Sequence, residues 1–147
     1  MDTGKIGIVA EVAKSAKQKS AQALKASQQA HRQKCDQLEQ LQQFKREYES
    51  RLEVLGGQGI AARQLQDYRQ FLSKLNQAIE QQKEEIHSAA RNLEASRKDW
   101  VSGSRRSSAL DQVVDQQKLR DRQARDRAEQ KESDEMSLAR SSGQKEA

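Results

Sequence analysis

No proline occurs anywhere in these 147 residues, and three of the seven glycines stand together at Gly56, Gly57 and Gly59. Without proline, nothing obliges a helix to stop before that point. Glycine tolerates φ > 0 and ends helices, so the chain can reverse at Gly56-Gly57-Gln58-Gly59. Apolar residues on both sides recur at alternating spacings of three and four. The chain is therefore expected to be all-α, a long antiparallel two-helix coiled-coil hairpin with unequal arms.

The second arm carries the cleaner pattern. Tyr68, Leu72, Leu75, Ile79, Gln82, Ile86, Ala89, Leu93, Ser96 and Trp100 step by four and three without a break. A seam sustained for more than about four heptads is the case in which a coiled coil is expected. The same register runs on through Gly103, Ser107, Leu110, Val114, Gln117, Asp121, Ala124, Ala128, Lys131, Glu135 and Leu138, thinning after Val114. In the first arm Leu38, Leu41, Lys45, Tyr48, Leu52 and Leu55 keep the rhythm, with Phe44 beside it. Upstream, Val12, Ala13, Ala16, Ala23, Leu24 and Ala30 are expected to form a small-residue face. Alanine contributes little burial, so that end should fray first.

Composition supports a rod over a globule. Leu, Ile, Val and Phe supply 25 of the 147 residues. A share below roughly 20 % ordinarily marks disorder. A net charge of only +5 and the periodicity of the apolar residues oppose that reading. A two-helix seam needs only a narrow apolar stripe.

Folding the chain at Gly57 places residue i near residue 115 − i. Tyr48 then meets Tyr68, Phe44 meets Phe71, Leu41 meets Leu75, Leu38 meets Ile79, and Trp100 falls near Ala16. At about 1.5 Å per residue the second arm overshoots the first. The expected organisation is a first helix over 1–55 with a basic arm, a turn over 56–59, a second helix over 60–103, and a charged overhang over 104–147 that is partly disordered when free. Ser102-Gly103-Ser104 marks a weak point, a kink or hinge, at the start of that overhang.

Residues 1–34 hold seven Lys/Arg against Asp2 and Glu11, so the whole net charge sits in the first quarter. Such an arm suits an acidic partner, anionic lipid or nucleic acid, or is simply a solvated helical face. One cysteine, Cys35, excludes an intrachain disulfide and fits a reducing cytosol. The apolar group Ile6, Ile8, Val9 and Val12 is too short, and too interrupted by Glu11, for a signal peptide core or a membrane span.

No catalytic constellation is present. The glycine cluster lacks the Gly-Lys-Ser/Thr ending of a phosphate-binding loop. His31 and Cys35 share a face with His87 opposite, but a structural zinc site takes four ligands. No metal and no cofactor are expected. Pairs such as Glu47/Arg51, Glu94/Lys98 and Asp121/Arg125 belong to a solvated helix. Nucleic-acid binding is disfavoured, because the lysines are dispersed and no aromatic platform is interleaved with them.

Large side chains concentrate near the turn. Gln37, Leu41, Phe44 and Tyr48 step by four and three on the first arm, as do Phe71, Leu75, Ala78 and Gln82 on the second. Phe44 and Phe71 lie beside the seam, so part of each ring should be exposed. The stripe reads either as a broader core near the loop or as a recognition face for another protein.

Gln37-Leu38, Tyr48, Leu52, Gly57-Gln58-Gly59-Ile60, Tyr68-Arg69-Gln70-Phe71-Leu72, Leu75, Ala78-Ile79, Gln82 and Trp100 together resemble the FliJ family. The later Glu129-Gln130-Lys131-Glu132-Ser133-Asp134-Glu135 is similar to the Gln-Lys-x-x-Asp-Glu ending of that family. The resemblance implies a non-enzymatic part of the flagellar type III export apparatus, a coiled-coil stalk linking the hexameric export ATPase to the export-gate membrane protein and escorting substrate chaperones. It implies gate contacts at Gln37, Leu41, Phe44, Tyr48, Phe71, Leu75, Ala78 and Gln82, with Phe44 where tyrosine also occurs and Gln82 where histidine does. It further implies ATPase contacts near the termini, at Lys14, Lys17, Lys131, Asp134 and Glu135. The expected molecule is a monomer in the cytoplasm, peripheral to the inner face of the membrane, serving flagellum assembly and so motility and chemotaxis. The alternatives are the equivalent stalk of a virulence secretion system, a basic nucleic-acid-binding coiled coil, and a homodimeric rod.

Overall fold

A computed structural model describes the backbone of residues 3–145 and the side chains of residues 4–143. The outermost positions of the expected first arm and overhang, residues 1, 2, 146 and 147, lie outside the described residues. The chain consists of two helices, α1 (Thr3–Gly57) and α2 (Ala62–Lys145), packed against each other as a hairpin, with no strand among the described residues.

The reversal falls slightly later than the glycines suggest. Gly56 and Gly57 still belong to α1, and residues 58–61 make the link. The amide of Gln58 donates to the carbonyl of Leu55 at 3.2 Å, tightening the last turn of α1. Gly59 alone among the described residues has positive φ, 83°, a backbone conformation for which a side chain would be strained. Leu65 donates back to the carbonyl of Ala61 at 3.0 Å and starts α2. One positive φ therefore suffices for the turn.

Contacts divide the chain into two units, one of Lys19–Val101 and one of Met1–Gln18 with Ser102–Ala147. In the first, which contains the turn, the α2 seam is the expected one: Tyr68, Leu72, Ile86, Ala89, Leu93, Ser96 and Trp100 are half-buried, and Leu75, Ile79 and Gln82 are buried. On α1 the half-buried seam positions are Ser20, Leu24, Ser27, His31, Lys34, Leu38, Leu41, Lys45, Tyr48, Leu52 and Leu55, with Cys35 and Gln42 half-buried beside them. The aromatic pairs expected from the fold point are present, Tyr48 with Tyr68 at 5.0 Å and Phe44 with Phe71 at 6.0 Å between ring centroids. Farther from the turn the pairing shifts toward later α2 residues. The hydroxyls of Ser27 and Ser96 share a 2.9 Å hydrogen bond, where a constant sum of 115 would have placed Ser88.

In the second unit Ile6, Ala10 and Ala13 are buried on α1, and Ser107 is buried on α2 with Gly103, Leu110, Val114, Gln117 and Asp121 half-covered. The expected small-residue face is corrected here. Ala13 lies on the seam of this unit and Leu24 on that of the other, while Val12, Ala16, Ala23 and Ala30 are exposed. The heptad rhythm set by Leu38–Leu55 continues backward through Lys17, Ser20 and Ser27 regardless of their polarity. Supercoiling holds one row of positions against the partner, and a row one residue away cannot replace it.

Helix α2 runs unbroken through Ser102-Gly103-Ser104. Its seam positions stay covered as far as Asp121, so the fully exposed stretch starts at Arg122, and every residue from there to Gly143 is exposed.

Candidate functional site

The stripe beside the turn resolves into two rows. Gln37, Phe44, Phe71 and Ala78 each stand one position before a seam residue, and all four are exposed. Leu41, Tyr48, Leu75 and Gln82 are themselves seam residues, half-buried in the first two cases and buried in the last two. Contact between Phe44 and Phe71 places the two flanking rows on the same side of the hairpin.

Phe44 is 47 % exposed and Phe71 39 %, while Leu75 is 7 % and Gln82 9 %. The rings form one cluster. Tyr48 lies 4.5 Å from Phe71 and 6.3 Å from Phe44, and Phe44 meets Phe71 edge-on at 66°. Such pairs contribute roughly 0.5–1.5 kcal/mol beyond their area burial. The seam tyrosines thus hold the outer phenylalanines in place. Burial pushes the Tyr48 phenol above its ordinary range, and the neighbouring Tyr68 and Asp67 add to the shift. A fixed, half-exposed aromatic pair on rigid helices is a protein-docking feature. Leu75 and Gln82, expected as contacts, have almost no surface to offer a partner.

Gln82 does something else. Its amide donates to the backbone carbonyl of Lys34 at 2.9 Å and to Oε1 of Gln37 at 3.1 Å. Beside it, Lys34 Nζ meets Glu85 Oε2 at 2.9 Å. Lys34 and Glu85 were not expected to matter. Their signal in the sequence is that Lys34 and Gln82 are polar residues at seam positions.

Near the termini, Lys14, Lys131, Asp134 and Glu135 are exposed and Lys17 is half-buried on the seam. Along the uncovered helix Met136 and Leu138 are 55 % and 71 % exposed. Cys35 Sγ lies 3.9 Å from His31 Nε2. Among the described residues no three His, Cys, Asp or Glu side chains are grouped so as to hold a metal, and no helix is long and apolar enough to cross a membrane.

Two long helices packed as a hairpin, with no strand among the described residues, define the class as an all-α coiled-coil hairpin protein. A family model described as Flagellar FliJ protein matches residues 3–146. The chain belongs to the FliJ family. A curated relative from Salmonella typhi, described as Flagellar FliJ protein, is 31 % identical over 100 residues, which is 68 % of this chain and 68 % of that protein. No solved structure matches.

Proposed function

We propose that this FliJ-family chain serves the flagellar protein export apparatus as a non-catalytic coiled-coil stalk, joining the hexameric export ATPase to the export-gate membrane protein and escorting substrate chaperones. It works as a monomer in the cytoplasm, held at the inner face of the membrane through the apparatus. The observation that carries this reading is the Phe44–Phe71 pair, kept half-exposed by a tyrosine-backed seam. Exposed aromatic surface on a rigid support is where binding energy concentrates. Gln37, Phe44, Phe71 and Ala78 form the gate contact, and Leu41, Tyr48, Leu75 and Gln82 support it from beneath.

At the chain termini, Lys14, Lys17, Lys131, Asp134 and Glu135 face the ATPase. The uncovered helix from Arg122 onward suits a role inside a partner, because a lone charged helix is marginal in water.

The test is binding of the full chain to the soluble part of the gate protein. Phe44→Ala with Phe71→Ala should weaken it by about thirtyfold, the equivalent of roughly 2 kcal/mol at a binding hot spot, with helicity unchanged. Undiminished affinity would remove the aromatic pair from the contact.

A further inference from the structure

We infer that the polar rung of Lys34, Gln37, Gln82 and Glu85 is a register lock, which fixes how far one arm of the hairpin is slid along the other and so which face the aromatic cluster presents. Gln82 is its central residue, a positioning residue with no part in contacting a partner. The lock acts on the hairpin itself, so it stands whether or not a gate protein docks at Phe44 and Phe71.

The need for a lock follows from the seam. Leu38, Leu41, Leu52 and Leu55 on α1 and Leu65, Leu72, Leu75 and Ile79 on α2 all stand at heptad positions. Sliding one arm by seven residues therefore still leaves many apolar residues facing apolar residues. Moving α1 Leu41 down to face Gln82, for example, would bring Leu38 toward Ile86 and Leu52 toward Leu72. The turn is loosely packed as well, because a Cβ added at Gly56 or Gly57 would meet no atom within 4 Å, and only Gly59 is held to a positive φ. Leucine seams of this kind specify a stripe and leave its register poorly determined.

Polar groups discriminate where leucines do not. Gln82 is 9 % exposed, and both hydrogens of its amide are donated across the interface, at 2.9 Å and 3.1 Å. One turn farther along α2, Glu85 takes the ammonium of Lys34 at 2.9 Å. Of the four cross-helix side-chain hydrogen bonds in this unit, three fall within one turn of each arm, and the fourth joins Ser27 to Ser96. After a one-heptad slide the Leu41 carbonyl would stand where that of Lys34 does, but Phe44 would replace Gln37 and leave one donor of the buried Gln82 amide unmade, which is costly. A single buried polar residue fixing register is the best-attested use of such groups in coiled coils.

Register can be read directly by spin-label distances. With Cys35→Ser as background, labels at exposed Gln29→Cys and Gln77→Cys report the axial offset of the arms, which one heptad changes by about 10 Å. The chain with its rung intact should give one narrow distance peak. Gln82→Leu should add a second population displaced by close to a heptad, while melting at the same or a higher temperature. A Gln82→Leu distribution that superimposes on the parent would overturn the proposal. Charge exchange provides an independent arm should the leucine variant misfold. Glu85→Lys alone should broaden the distribution, and Lys34→Glu with Glu85→Lys should restore the single peak. Failure of the exchange to restore it also counts against the lock.

Discussion

The two units of this hairpin solve the same packing problem with different side chains. Around the turn the seam is built from Leu, Ile and Tyr, reinforced by four ring contacts and the Gln82 rung. In the unit containing the termini it mixes Ile6, Leu110 and Val114 with the small Ala10, Ala13, Gly103 and Ser107 and the polar Lys17, Gln117 and Asp121, and from Arg122 to Gly143 every residue of α2 is exposed. Large residues bury area; small ones let backbones approach but release little water-exposed apolar surface. The difference teaches where this protein keeps most of its buried apolar surface.

Truncating the large seam should have the greatest effect. Ile79, 5 % exposed, loses about 2–4 kcal/mol on replacement by alanine, read from the urea midpoint of the full chain. A loss no greater than that of Ala13→Gly would erase the contrast. In the other unit the sharper test is enlargement. Ser107 is 4 % exposed, so Ser107→Leu should cost about 1–3 kcal/mol through overpacking. Stabilisation instead would mean that the small residues there are not what allows close approach.

Removal of residues 122–147 should change the unfolding free energy by less than about 0.5 kcal/mol, as expected for a segment whose side chains from Arg122 to Gly143 are all exposed. The same deletion should abolish any stimulation of an export ATPase. Hydrogen exchange should agree, with amides beyond Arg122 exchanging well before those of residues 72–86.

The smallest effect is alkaline. The Tyr48 phenol is raised by burial, so the folded state holds its proton more tightly than the unfolded chain does. Its contribution is fully present below pH ~10, the ordinary phenol value, and is lost as pH rises through the folded value. Tyrosinate absorbance should show a late component that Tyr48→Phe removes.

How much of this was legible depends on which rows of the helices carried bulky residues. The seam from Tyr68 to Trp100 and the rings of Phe44 and Phe71 could be read directly, because large apolar side chains marked both the row and its neighbour. The N-terminal seam could not. Between Lys17 and His31 its only large apolar residue is Leu24, the others being Ser20 and Ser27, and the neighbouring Ala16, Ala23 and Ala30 imitate a face they do not form. The stripe beside the turn was half legible for a related reason. Steps of four and three connect flank to seam as readily as seam to seam, so exposed Phe71 and buried Leu75 looked alike.

By itself the sequence determined the helical hairpin, its place of reversal and the covered row of α2, since these follow from glycine placement and heptad spacing, both properties of the chain alone. Tertiary structure decided what depends on distance across the interface. It showed that the pairing drifts from Phe44–Phe71 to Ser27–Ser96, that α2 is covered as far as Asp121, and that Gln82 spends its amide inside the molecule. Periodicity says which residues face a partner helix, but only packing says which partner atom each one meets.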